Sequence, residues 1–257
     1  MRSLDRRALL AGLATLPMAG PARAALPEGR LGKLVASYPD HLADVIEDML
    51  VWRDGARMAI GADRPPRGFE EMLRSATIAD QLRQTYERGP PAGAPPRDQS
   101  PGRLRNTAFF VKMYGDCTKG AVTPRMRPVA WLPRTTRQMV QLTEVNGVAT
   151  RMESIVGQLD RLPDRLKAFL VPSAGTYNCR AVADTGVASM HGYGAAIDIN
   201  VAHSDYWAWA NRRGAIAYRN RIPFEIVEIF EAADFIWGGK WYHFDTMHFE
   251  YRPEMFA

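Results

Sequence analysis

No apolar run in the chain is long enough to span a bilayer. A crossing helix needs roughly 20 apolar residues, and the mostly apolar run from Ala8 to Gly20 has 13. Cysteine is scarce: Cys117 and Cys179 are the only two, which excludes a disulfide-dense scaffold and permits a single bridge. Charge of one sign is not in large excess, since 33 Lys and Arg face 28 Asp and Glu. Four Arg and one Asp fall within residues 1–24, so the rest holds 29 basic and 27 acidic residues, a net charge of +2. Such a balance gives no support to a nucleic-acid partner. No internal repeat is present, and strand and helix signals do not alternate as they do in a parallel βαβ sheet. At 46% hydrophobic and 24% charged, the composition is that of an ordinary globular chain.

What is present begins with a leader-like segment. Arg2, Arg6 and Arg7 precede the apolar run, and Ala22-Arg23-Ala24 closes it with the small-x-small pattern of a signal-peptidase site. Residues 1–24 are therefore expected to be a cleaved signal peptide. The mature protein would then be exported, periplasmic or otherwise extracytoplasmic, with no stable membrane insertion. Arg6-Arg7 ahead of Leu9 and Leu10 resembles a twin-arginine leader, the Sec route being the alternative. In an oxidising compartment Cys117 and Cys179 form a disulfide or remain two buried thiols; spacing alone leaves both open.

The remainder reads as an α+β domain with a small antiparallel sheet and flanking helices. Residues 25–129 form its N-terminal part and residues 130–257 its core. Leu50 to Met58 reads as a hairpin around Asp54-Gly55, and Phe69 to Tyr86 has helical spacing. Residues 89–102, dense in Pro and Gly, read as a flexible surface loop. Gln138 to Val145 reads as a strand running into an Asn146-Gly147 turn. Val148, Met152, Ile155, Val156 and Leu159 then mark a helix. Short strands are expected at Phe169–Val171, Ala195–Val201, Phe235–Trp237 and Met247–Tyr251, with a helix starting at Pro223.

Two segments carry chemistry: Ser189-Met190-His191-Gly192-Tyr193-Gly194-Ala195-Ala196-Ile197-Asp198, and Trp237 through Glu250. A helix would separate His191 from Asp198 by about 10 Å, too far for one zinc ion with ligands at roughly 2 Å. Gly192 and Gly194 favour a tight loop instead, folding His191 back toward a strand that carries Asp198. With His248, this makes two His and one Asp, the three-ligand pattern that leaves a coordination position open for catalysis. Asp245 is placed to be the proton-shuttling carboxylate, and Arg180 a cation for a developing oxyanion. His243 is an alternative ligand or an orienting neighbour of Asp245. Glu250 shares a strand face with His248 and reads as an ion-pair partner.

The S-x-H-x-x-G-x-A-x-D string at 189–198, followed by W-G-G-x-W and D-x-M-H-F-E at 237–250, resembles the LAS metallopeptidases, a group that includes lysostaphin, D-Ala-D-Ala peptidases and sonic hedgehog. The similarity is to the D-alanyl-D-alanine carboxypeptidase and L-alanyl-D-glutamate endopeptidase branch, and covers roughly residues 130–257. It implies a hedgehog/DD-peptidase-like fold and Zn(2+) bound by His191, Asp198 and His248. It also implies Asp245 as general acid/base and Arg180, in Asn178-Cys179-Arg180, as the group that polarises the scissile carbonyl. The expected partner is peptidoglycan or its peptides. Many carboxypeptidases of the group have Glu where this chain has Asp245. The Asp form together with W-G-G-x-W is more like the endopeptidases, which slightly favours an L-Ala-D-Glu cut. D-alanyl-D-alanine carboxypeptidase activity and a non-enzymatic zinc-binding module are the alternatives. Ser189, Trp237 and Trp241 are candidate substrate contacts, and a Cys117–Cys179 bridge would fix the loop that bears Arg180.

Overall fold

The computed structural model describes residues 29–257 except 63, 64, 66, 183, 184, 213 and 214. The expected signal peptide, residues 1–24, lies outside the described residues. Among those described, no helix is long and apolar enough to cross a membrane.

The N-terminal part opens with helix α1 (Arg30–Ser37), followed by strands β1 (Leu42–Ile46), β2 (Met49–Trp52) and β3 (Arg57–Ala59). These form an antiparallel three-stranded sheet, and the Asp54-Gly55 turn joins β2 to β3 as the sequence predicts. The helical stretch from Phe69 breaks in two, α2 (Phe69–Ser75) and α3 (Ile78–Gln81). Thr77 divides them. Its side chain accepts the Asp80 N–H while Asp80 accepts the Thr77 N–H, a reciprocal cap that starts a new helix. Helix α4 (Thr107–Tyr114) is capped by Asn106 and buries Phe109, Phe110, Met113 and Tyr114.

The second part runs β4 (Met126–Ala130), β5 (Met139–Thr143), α5 (Val148–Leu159), α6 (Asp164–Lys167), β6 (Ala196–Asp198), α7 (Trp207–Ala210), β7 (Asn211–Arg212), β8 (Ala215–Ile216), α8 (Phe224–Ala232), β9 (Phe235–Trp237) and β10 (His248–Tyr251). Helix α5 buries its stripe of Val148, Met152, Ile155, Val156 and Leu159, as its periodicity predicts. Residues 169–171 form turns rather than the expected strand. The Phe169 carbonyl accepts the Asn200 N–H and the Leu170 carbonyl the Trp131 indole N–H, so this segment bonds outward singly instead of along a ladder.

Strand order in the central sheet is β6-β10-β9, all antiparallel. Its inner face packs on α8, where the Phe249 ring stacks on Phe230 with centroids 3.9 Å apart. One apolar cluster extends from Leu34 to Phe256, so the boundary drawn at 129/130 falls inside β4 and inside a shared core. The Pro-rich loop is likewise tied down at its end. The Gln99 carbonyl accepts the Tyr242 N–H, the Pro101 carbonyl the Trp241 indole and the Gly102 carbonyl the Arg252 guanidinium.

Candidate metal centre

Strand register brings the first two ligands together. Asp198 of β6 lies directly opposite His248 of β10, and residues opposite one another on an antiparallel pair project from the same face. Ile197 and Phe249, one residue over, point into the core and are fully buried. His191 arrives from a single 3₁₀ turn, Met190–Tyr193, whose N-cap is Ser189. Gly194 ends that turn at φ +67°, where a Cβ would lie 2.5 Å from the Met126 sulfur. Only glycine fits both the backbone angle and the space. The chain can therefore reverse within seven residues and return His191 to Asp198.

The three ligand atoms form a near-equilateral triangle. His191 Nε2 lies 3.1 Å from Asp198 Oδ1 and 3.1 Å from His248 Nδ1, and His248 Nδ1 lies 3.0 Å from Asp198 Oδ1. Three ligands held at 2.0–2.1 Å around a tetrahedral zinc are separated by about 3.3 Å, so the cluster could hold such an ion.

Hydrogen bonding on the far sides of the rings assigns the tautomers. His191 Nδ1 lies 2.5 Å from the Thr176 carbonyl, which only accepts, so that nitrogen carries the proton. His248 Nε2 lies 2.9 Å from Glu250 Oε2 and donates to it. Both inward nitrogens thus present lone pairs to a carboxylate oxygen, an arrangement that requires a positive charge at its centre. Burial disfavours a charged His248, but its hydrogen bonds to Asp198 and Glu250 outweigh burial and raise its pKa to about 9. Burial pushes Asp198 the other way, yet the two histidines hold its carboxyl well below the usual carboxylate range.

Asp245 enters the same cavity from the turn before β10. Its Oδ1 is buried and has no hydrogen-bond partner among the described residues. Burial, and secondarily the charge of Asp198, pushes its pKa up to about 6. The two glycines of W-G-G-x-W serve this turn. A Cβ on Gly238 would lie 2.5 Å from the Asp245 carbonyl oxygen, and one on Gly239 would lie 2.1 Å from the Trp237 ring.

Around these groups is a cavity of about 330 Å³, also lined by Arg103, Arg105, Arg180, Tyr206, Trp209 and Trp241. A smaller one of about 170 Å³ adjoins it across Arg180, His191 and Asp198, walled by residues 174–178. Arg180 is exposed and lies beside Cys179, which is joined to Cys117 by a disulfide with Cα atoms 5.7 Å apart. Ser189 also lines the cavity, but its hydroxyl accepts the His191 N–H, which accounts for it as a cap. Trp241 packs beside His248, ring centroids 5.5 Å apart. Trp237 does not reach the cavity. It is 1% exposed, with its indole N–H donated to the Thr246 carbonyl, because its strand position opposite Phe249 turns it into the core.

Residues 183–251 match the family of D-alanyl-D-alanine carboxypeptidases. That family is one of peptidases, and the resemblance to the LAS metallopeptidases drawn from the two motifs is borne out at this level. The peptidase-family segment contains His191, Asp198, Asp245 and His248 but begins after Arg180, and Arg103 and Arg105 lie far upstream of it. No curated protein and no solved structure matches the chain.

Sequence reasoning missed both Arg103 and Arg105. No local pattern marks them, since what brings them to the cavity is the docking of a segment more than 80 residues before the first motif. Glu250, read as an ion-pair partner of uncertain purpose, is the acceptor for His248.

Proposed function

We propose that the protein is an exported zinc peptidase that hydrolyses peptide bonds within the stem peptides of peptidoglycan. The observation that carries the metal assignment is the triangle of three inward lone pairs, closed on its far sides by Thr176 and Glu250. The donor set, two imidazoles and one carboxylate, is that of catalytic rather than structural zinc. A bound zinc supplies a Lewis acid for the scissile carbonyl and the attacking water.

The chain's own groups account for the remaining needs. Asp245 takes the proton from the attacking water on its unpaired Oδ1 and returns it to the departing amine. A carboxyl raised toward neutrality is suited to both halves of that transfer. Arg180 offers its guanidinium to the carbonyl oxygen as charge develops there. The Cys117–Cys179 bridge holds the Arg180 loop in place.

A cut inside the stem, of the L-Ala-D-Glu type, is favoured by the two cavities that meet across Arg180, His191 and Asp198, because substrate can then extend on both sides. The family match favours the second reading, removal of a terminal D-alanine. Mass spectrometry of purified muropeptides incubated with the zinc-loaded protein, with and without chelator, tests both. We expect a chelator-sensitive split after L-alanine. Released D-alanine would assign the carboxypeptidase reaction instead. Unchanged muropeptides with zinc demonstrably bound would sink the peptidase reading and leave a zinc-binding module.

A further inference from the structure

We propose that Arg105, contributed by the N-terminal part of the chain, is a positioning residue for the metal centre. It acts through Glu250 on His248, and the proposal rests on the zinc reading above. The route is a short chain of buried contacts. Arg105 Nη2 donates to Glu250 Oε2 at 2.6 Å, and the same oxygen accepts His248 Nε2–H at 2.9 Å. Glu250's other oxygen accepts Arg252 Nη1–H at 3.0 Å. The side chains of Arg105 and Glu250 are 6% and 0% exposed, so no solvent competes for these bonds.

The division of labour between the two arginines is geometric. Arg252 is two residues from Glu250 on the same chain segment and is shared with Glu254, to which its Nε donates at 2.6 Å. It neutralises Glu250 but meets only the oxygen turned away from His248. Among the described residues, Arg105 is the cation that meets the oxygen orienting the imidazole. With Arg105 gone, Glu250 Oε2 retains His248 as its sole partner here, and rotation of the carboxylate is no longer opposed from that side. The His248 ring would then be free to turn, or to exchange the nitrogen that carries its proton. Either change removes a lone pair from the triangle.

Arg105 is itself placed by elements remote from the metal. Its neighbour Asn106 caps α4, donates its N–H to Gln81 of α3 and its amide to the Ala76 carbonyl. Immediately before Arg103, Gly102 at φ +95° passes so close to β9 that a Cβ there would lie 2.3 Å from Ile236 Cδ1. A segment 145 residues upstream of Glu250 is thereby seated against the back of the metal site. The segment that matches the peptidase family, residues 183–251, lacks this arm.

The test is zinc affinity by competition with a chromophoric chelator, together with the visible absorption of the cobalt(II)-substituted protein. Wild type, Arg105→Gln and Arg105→Lys are compared, with near-ultraviolet circular dichroism as a check on tertiary structure. Removing an outer partner of a metal-ligating histidine weakens metal binding by about 10–100-fold. Arg105 holds that partner rather than the histidine itself, so we expect a loss at the lower end of that range, about tenfold, for Arg105→Gln, with an altered cobalt spectrum, and recovery in Arg105→Lys, which keeps a charged donor. A folded Arg105→Gln that binds zinc within twofold of wild type, with the same cobalt spectrum, overturns the proposal. Should Arg105→Gln fail to fold, Arg105→Met, which keeps the apolar stem without the donor, takes its place: weakened affinity supports the role and wild-type affinity ends it. A wild type that binds no zinc overturns the metal reading and this inference with it, a result distinct from zinc binding that ignores Arg105.

Discussion

Asp245 combines two properties rarely found in a resting surface carboxylate: one oxygen in a cavity with no partner among the described residues, and a pKa pushed up to about 6, first by burial and then by Asp198. A base must be ionised to accept a proton, so kcat/KM should fall as pH drops below about 6, with a slope of one proton. A zinc ion nearby favours the carboxylate and moves that limb lower, never higher. Asp245→Asn keeps the shape and the cavity but cannot take up the proton. We expect turnover on muropeptides to drop by about 10²–10⁴-fold while zinc still binds, as read by chelator competition. An Asn variant with wild-type turnover would remove Asp245 from the chemistry.

Between residue and molecule, the elements of this site divide into those that pattern and spacing reveal and those that they do not. Strands β6 and β10 were legible because His248 and Asp198 alternate with the apolar Phe249 and Ile197, and a period of two assigns the faces; that the two strands pair was not, since it joins residues 50 apart. Helix α5 was legible for the corresponding helical reason. The single helix expected over Phe69 to Tyr86 was not, since apolar spacing continues across the break while Thr77-x-x-Asp80 restarts the backbone bonding. That capping pattern stands in the sequence, and periodicity overrode it. The segment at 89–102 is irregular and mostly exposed as its composition predicts, but its tethered end was not legible: the anchors are carbonyls of Gln99, Pro101 and Gly102, and backbone acceptors leave no mark in composition. The disulfide acts at this scale as well, tying the turn at Cys117 to the loop that bears Arg180. Replacing both cysteines by serine should cost about 2–4 kcal/mol of stability, measured by denaturant unfolding. It should also lower kcat by freeing Arg180. Thiol titration of the unreduced, denatured wild type should find no free thiol.

For the molecule as a whole, a single apolar cluster joins the two parts of the chain, and the candidate metal ligands rest on a buried line of alternating charge. From His248 it runs through Glu250, flanked by Arg105 and Arg252, to Glu254, which accepts the Tyr38 hydroxyl at 2.6 Å. Metal binding at one end should therefore be felt by the whole fold rather than by a loop. Zinc at 100 times its dissociation constant adds about 2.7 kcal/mol. For a domain of this size that raises Tm by about 5–10 °C. Differential scanning calorimetry should show one transition that moves up by that amount with zinc. His191→Ala should abolish the shift. Two transitions, of which zinc moves only one, would show that the parts unfold separately.

The path of Arg105 to Glu250 also bears on modularity. A stretch of 69 residues, 183–251, holds both signature motifs, and would be the natural cassette to transplant or to express alone. In this protein that cassette lacks part of its foundations: the cation behind the candidate metal site, the glycine that seats that cation's segment, and much of the shared apolar cluster belong to sequence that precedes it. Recombination that exchanged the motif-bearing segment between relatives would thus carry the ligands without their support. Exchanges that kept residues 100–106 with the sheet would carry that support along with the ligands.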